Sequence, residues 1–281
     1  MLLALALLIV ALARPRGGTV HRLTRRDGID IVLALDLSGS MTLYDLPRGC
    51  TDGEAIRRYL SGNPPDRLAA AKKAVKDFIL RRPDDRIGLI GFADAAYRLS
   101  PPTLDHGWLL ARLEQLAAGT VGERTGLASP IGEAAWMLKG SDAKRRVAVL
   151  FTDGFNTVGN RVTPEEAAKQ AAEEKVILYT VGIGSGNAAA VERGGIMPVR
   201  DNFDAPLLEK LANTGKGRYF HASDPAGLIE VMRQIDRLEK TRRESPTFTE
   251  YDEYAPRIGL AALLLMLAGF IWDHAVRPTL P

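Results

Sequence analysis

Asp36, Ser38 and Ser40 stand at alternate positions where an apolar run, Ile29-Asp30-Ile31-Val32-Leu33-Ala34-Leu35-Asp36-Leu37-Ser38-Gly39-Ser40-Met41, breaks off. One carboxylate and two hydroxyls spaced in this way aim three hard oxygens at one point once the chain turns. Such donors, with little formal charge among them, suit Mg²⁺. Capping of the next helix by Asp36 and Ser38 is the competing use of the same side chains.

These donors need a rigid element behind them. The preceding run is short, β-branched at its start and apolar throughout, as expected of a central parallel strand buried on both faces. The donors then fall at the carboxyl end of that strand, where ligands bind in open α/β sheets. Strand and helix periods alternate along the rest of the chain, which predicts a doubly wound, mainly parallel α/β sheet.

A helix is expected from Asp66 to Leu80, with Leu68, Ala71, Val75, Phe78 and Ile79 on its inner face. A buried strand follows at 86–92, then an edge strand near Tyr97 that Pro101-Pro102 terminates. Helices at 108–116 and 130–138 precede a strand at 147–152, a helix at 164–174 opened by Pro164, and a strand at 176–181. A helix at 205–213, a strand at 217–221 and a helix at 225–239 complete one domain, residues 27–240, of about six strands and six or seven helices.

Residues 41–65, rich in Gly, Pro and Asp, are far longer than a usual strand-to-helix connection. They start beside the candidate site, so they either cover it, with Asp45 or Asp52 as an extra contact, or decorate the surface.

Composition narrows the function. With 281 residues, 46% apolar and 25% charged, the chain can bury one sizeable core. A net charge of +3 does not argue for nucleic acid. The single cysteine, Cys50, excludes an internal disulfide framework and a cysteine-based zinc site, and reads as a partly buried bystander. His21, His106, His221 and His274 form no pair at metal-ligand spacing; His221 is the one candidate for a pH-sensitive contact. Gly182-Ile183-Gly184-Ser185-Gly186 lacks the Lys of a phosphate-binding loop and reads as a strand exit.

Both ends are apolar. Residues 1–13 read as an amino-terminal membrane anchor, short for a crossing and without a basic stretch before it, so that its beginning is expected to be missing. Residues 14–26 form a basic linker whose Arg22–Arg26 cluster suits either lipid headgroups or solvent. After a linker at 241–256, residues 257–276 read as a carboxyl-terminal transmembrane helix with Trp272 at the interface.

Asp36-Leu37-Ser38-Gly39-Ser40 resembles the Asp-x-Ser-x-Ser signature of von Willebrand factor A domains, whose metal-ion-dependent adhesion site also uses a downstream Thr and Asp. Thr152-Asp153-Gly154 is similar to the family's Thr-Asp-Gly loop, which makes Asp153 the matching carboxylate. Gly126-Leu127-Ala128-Ser129-Pro130-Ile131-Gly132-Glu133-Ala134 resembles the third loop, with Ser129 where Thr is usual and Thr125 four residues earlier as a competitor. The ligand set implied for Mg²⁺ or Mn²⁺ is therefore Asp36, Ser38, Ser40, Ser129 and Asp153.

Ala11-Leu12-Ala13-Arg14-Pro15, Asp66-Arg67-Leu68, Asp85-Arg86-Ile87-Gly88-Leu89, Pro102-Thr103-Leu104-Asp105 and Thr214-Gly215-Lys216-Gly217-Arg218-Tyr219-Phe220 look like the membrane-anchored bacterial Bat (aerotolerance) branch. The resemblance implies a protein-binding module that captures a partner's acidic residue through the metal. It also implies association with other such domains and with a MoxR-type AAA+ ATPase, at the inner membrane. For the side of the membrane it favours the periplasm, whereas Arg14, Arg16, Arg22, Arg25 and Arg26 beside the first anchor favour the cytoplasm. The competing functions are a metal-dependent phosphoester hydrolase, for which Arg124, Glu133 and Asp45 are the nearby groups, and a metal-free assembly scaffold.

Overall fold

The computed structural model describes residues 2–13, 15–19, 28–159, 161–192, 195–200, 204–240 and 250–276. The chain divides into two compact units, residues 27–243 and, from the two chain ends, residues 1–26 with 244–281. The Arg22–Arg26 cluster and most of the 241–256 linker lie outside the described residues.

In chain order, α1 (Leu2–Leu12) and β1 (Arg16–Thr19) belong to the smaller unit. The larger unit opens with β2 (Asp30–Asp36), a 3₁₀ turn (Gly39–Thr42), β3 (Tyr44–Asp45), α2 (Gly53–Ser61), α3 (Arg67–Leu80) and β4 (Arg86–Phe92). It continues through β5 (Ala96–Thr103), α4 (His106–Glu114), α5 (Ala128–Leu138), β6 (Arg146–Thr152), α6 (Pro164–Glu173) and β7 (Val176–Ile183). It closes with β8 (Asn187–Glu192), β9 (Gly195–Arg200), α7 (Ala205–Thr214), β10 (Lys216–Ala222) and α8 (Pro225–Lys240); β11 (Glu250–Glu253) and α9 (Ala255–Val276) return to the smaller unit.

The main sheet has six strands in the order β10-β7-β6-β2-β4-β5, parallel except where β5 runs antiparallel to β4. From β2 the chain winds outward through β4 and β5, then returns to start the other half at β6. The order therefore reverses between β2 and β6, and the crevice beyond their carboxyl ends is the binding position of a doubly wound sheet.

The unbroken apolar run of β2 follows from burial on both faces, all seven residues being buried. Ile31, Leu33 and Leu35 pack with α3, α4 and α8, whereas Val32 and Ala34 pack with α5, α6 and α7. Local signals set the helix starts: Asp66 accepts from Ala69 N, and Thr163 and Glu166 form a capping box around Pro164.

The edge strand departs from expectation. β5 runs through Pro101 and Pro102 to Thr103 instead of stopping at them, because an edge strand tolerates residues that cannot donate to the ladder.

Residues 41–65 are folded. β3 joins β8 and β9 in a three-stranded antiparallel sheet, and Leu46, Cys50 and Ile56 pack with Ala189 in a core of their own. This accessory sheet was not foreseen, since β3 has two residues and the Asn-Ala-Ala-Ala-Val-Glu of β8 has little apolar alternation.

In the smaller unit β1 pairs antiparallel with β11, Arg16 opposite Glu253, and α1 packs on α9. Ala262 is buried there, while Leu5, Ile9, Leu12, Leu264, Phe270 and Ile271 are exposed. Among the described residues no helix is long and apolar enough to cross a membrane, so the expected spanning helices at 1–13 and 257–276 are not met. The 11 residues of α1 extend about 16 Å, against a hydrocarbon core of about 30 Å.

Candidate metal centre

Asp36 ends β2 and Thr152 ends β6, and the parallel register of these neighbouring strands sets the two side by side. The Thr152 hydroxyl donates to Asp36 Oδ2 (2.7 Å), and Ser38 N donates to Asp36 Oδ1 (2.9 Å), turning the chain back over the strand end. This turn presents Ser38 Oγ 3.1 Å from Ser40 Oγ, and the Ser40 hydroxyl in turn donates to Asp153 Oδ1 (2.7 Å). Asp36, Ser38, Thr152 and Asp153 are buried and Ser40 is half-buried. Gly39 between the serines leaves room for a neighbouring carboxylate: a Cβ there would lie 2.5 Å from Glu123 Oε2.

Burial, and secondarily the charge of Asp153, push the Asp36 carboxyl from its ordinary 3.8 up to about 7, against the opposing hydrogen bonds from Ser38 and Thr152. Two carboxylates held this close in a dry corner are what a divalent cation relieves.

The third-loop residues part company. Ser129, at the start of α5, accepts a hydrogen bond from Ala96 N (2.9 Å). Thr125 is buried, and its Oγ1 lies 3.3 Å from where a Cβ on Gly154 would stand, next to Asp153. The Thr125 peptide is held on both sides: its N–H donates to Thr157 Oγ1 (2.9 Å) and its carbonyl accepts from Thr157 N (2.8 Å). The corner thus gathers Asp36, Ser38, Ser40 and Asp153, with Thr125 at its margin, while the Ser129 hydroxyl serves the edge strand.

A residue not foreseen for the site completes it. Arg67, with its side chain fully buried, donates from Nη1 to Asp153 Oδ2 (2.7 Å). Its Nε and Nη2 form a fork on Asp45 at 3.1 and 2.8 Å. Asp45 also accepts from Ser185 N (2.9 Å), so the glycine-rich exit of β7 serves the network. Arg67 shares a helical stripe with Ala71, Ala74 and Phe78, all buried, and that spacing is the signal that could have found it. Elsewhere, partial burial holds His221 below its usual range, against a smaller opposing pull from Asp45.

The donors fit a small, hard cation: hydroxyl and carboxylate oxygens, with no sulfur or imidazole among them. Among the described residues no group of three or more His, Cys, Asp or Glu is placed to hold a metal, so any ion here relies on the hydroxyls.

Comparison with known proteins agrees with this fold. Residues 31–156 match the von Willebrand factor type A domain. A UPF0353 protein of Mycolicibacterium paratuberculosis is 30% identical over 247 residues, covering 85% of this chain and 67% of that one. The crystal structure of BatB from Bacteroides thetaiotaomicron superposes with a TM-score of 0.59 at 23% identity, over 76% of this chain and all of that one. Proximal thread matrix protein 1 of the mussel byssus, solved with a zinc-occupied MIDAS motif, gives 0.54 at 17% identity, over 88% of this chain and 51% of that one. With its doubly wound sheet and the Asp-x-Ser-x-Ser corner at the switch point, the chain belongs to the UPF0353 proteins and carries a von Willebrand factor type A domain over residues 31–156.

Proposed function

We propose that this chain is a membrane-associated, divalent-cation-dependent protein-binding module. The observation that carries the reading is the Ser38–Ser40–Asp153 contact, which joins three donors from two distant loops at the sheet's switch point. Asp36, Ser38, Ser40 and Asp153 would hold Mg²⁺ or Mn²⁺. Of the two third-loop hydroxyls we assign Thr125 rather than Ser129 to the ion, because Ser129 is engaged with Ala96.

When bound, the cation supplies an open coordination position that an Asp or Glu of a partner completes. Ser38 and Ser40 contribute neutral oxygens, leaving charge for that carboxylate to balance. Asp36 and Asp153 orient the hydroxyls and supply the negative field. A zinc-occupied motif in a mussel protein of the same fold is consistent with this use of the corner.

Binding is favoured over phosphoester hydrolysis because the two nearby carboxylates that would serve as base are engaged: Asp45 with Arg67 and Glu133 with Arg98. On the resemblance, the partners are other domains of this kind and a MoxR-type AAA+ ATPase.

The exposed leucine, isoleucine and phenylalanine side chains of α1 and α9 support a bilayer as the environment of the smaller unit, since soluble monomers rarely leave so many together. We place the larger unit in the periplasm on the resemblance alone. A periplasm-specific reporter fused after Lys240 is expected to be active, and activity only of a cytoplasmic reporter would reverse the assignment.

The function is tested by titrating MgCl₂ and MnCl₂ calorimetrically into the full chain in mild detergent, beside Asp36→Ala, then capturing partners from membrane extracts with and without EDTA. Saturable binding and EDTA-sensitive capture, both lost in Asp36→Ala, are expected. Capture that ignores EDTA and the substitution would favour the scaffold reading, and metal-dependent phosphoester turnover lost in the same variant would favour the hydrolase.

A further inference from the structure

A cation in the first turn of a helix opposes the helix dipole, and a buried guanidinium is costly unless its donors are met. Arg67 does both at the start of α3, so the carboxylates that hold it explain its presence. Its side chain and that of Asp153 are fully buried, and Nη1 lies 2.7 Å from Asp153 Oδ2. The remaining face of the guanidinium is locked by the fork on Asp45, itself fixed by Ser185 N and Oγ.

This arrangement divides the two oxygens of Asp153. Oδ1 faces Ser40 and the cation corner, while Oδ2 faces a fixed positive charge. For Asp153 to chelate with both oxygens, an ion would have to approach that charge, and Arg67 would have to break its fork and leave Asp45 without it. Asp36 is restrained in a similar way, Oδ1 by Ser38 N and Oδ2 by Thr152. Calcium takes six to eight oxygens and favours bidentate carboxylates, whereas Mg²⁺ keeps a compact octahedron of single oxygens and waters.

Building on the cation reading above, we propose that Arg67 determines which ion the corner accepts: by confining Asp153 to one oxygen, it selects Mg²⁺ or Mn²⁺ against Ca²⁺. Asp45 is the positioning residue that holds Arg67 to this task. It links the selectivity of the corner to the accessory sheet, in which Asp45 pairs with Ala188.

The test is calorimetric titration of MgCl₂, MnCl₂ and CaCl₂ into the detergent-solubilised full chain. Wild type is compared with Arg67→Met, which removes the charge at similar length, Arg67→Lys, which keeps the charge without the fork, and Asp45→Asn. The readout is the ratio of Ca²⁺ to Mg²⁺ dissociation constants, taken beside urea unfolding of each variant, since a general loosening of the fold by itself favours the less exacting Ca²⁺ and only variants of near wild-type stability count. Wild type is expected to bind Mg²⁺ about tenfold or more tightly than Ca²⁺, with Arg67→Met bringing the two within about twofold and Arg67→Lys and Asp45→Asn falling between. If Arg67→Met does not fold, the other two variants carry the comparison.

An unchanged ratio in the folded variants, with Mg²⁺ still bound, overturns the role of Arg67 and leaves the cation reading standing. A wild type that binds none of the three ions removes that reading, and this one with it.

Discussion

Thr152 donates its hydroxyl to Asp36 Oδ2 at 2.7 Å, tying the last residue of β2 to the last residue of β6 across 116 positions of sequence. The bond sits where the winding of the sheet reverses, and both side chains are buried. Thr152→Val keeps the shape and deletes the donor. It is expected to cost about 1–3 kcal/mol in urea unfolding and to weaken Mg²⁺ binding, because Asp36 loses a hydrogen bond that favours its charged form. Unchanged affinity would show that Asp36 is oriented by other contacts.

The third-loop hydroxyls separate by experiment. Thr125→Ala is expected to weaken cation binding with little loss of stability. Ser129→Ala is expected to leave binding near the wild-type value and to lower stability by about 1 kcal/mol, since Ala96 N loses its acceptor. Parallel calorimetry and urea titration check both, and the reverse pattern would restore Ser129 as the ligand.

The raised Asp36 sets a pH dependence with a defined sign. The folded chain holds this proton up to about 7, whereas the unfolded chain releases it near 3.8. Between those values the native state carries more protons, so this group's contribution to cation-free stability falls as pH rises and levels off above the folded pKa. Cation binding needs the ionised form, so affinity rises over the same window. The increase in Tm on adding saturating MgCl₂ is therefore expected to be larger at about pH 8 than at about pH 5.5. Equal increases would contradict a proton on Asp36.

The opposite end of the sheet holds a second test, independent of the cation. Buried Arg82 donates to Asp85 Oδ2 (2.8 Å) and to Asp236 Oδ1 of α8 (2.9 Å), while Asp85 Oδ1 also accepts from Ile29 N (3.0 Å). Arg82→Ala removes the positive charge that balances two carboxylates and is expected to cost about 3–5 kcal/mol. Urea unfolding measures the loss, and Mg²⁺ affinity of the folded fraction should be unchanged because the site lies at the other end of the strands.

What the sequence determined by itself is local and periodic. The apolar run of β2, short and β-branched at its start, suits a strand buried on both faces, and the positions of Asp36, Ser38 and Ser40 place them at that strand's end. Asp153 was named through the resemblance of Thr152-Asp153-Gly154 to the family's loop, and it directly follows the last residue of β6. The helices of the main domain other than α2, which lies in the segment read as a loop, were readable from their stripes and caps, with start positions shifted by about two residues at α4 and α5.

The tertiary structure decided everything that depends on pairs without a period. Arg67 meets Asp153 across 86 residues and Ser185 meets Asp45 across 140, and no spacing along the chain announces either contact. The accessory sheet forms because two residues of the 41–65 segment find an edge offered by β8, a pairing too short to leave a pattern. Thr125 and Ser129 carry the same hydroxyl chemistry four residues apart. Only the packed loops, with Ala96 against one and Gly154 against the other, set them in different surroundings. Local burial periods write strands and helices into sequence, whereas the partners of a buried charge are chosen by desolvation once the chain has closed around it.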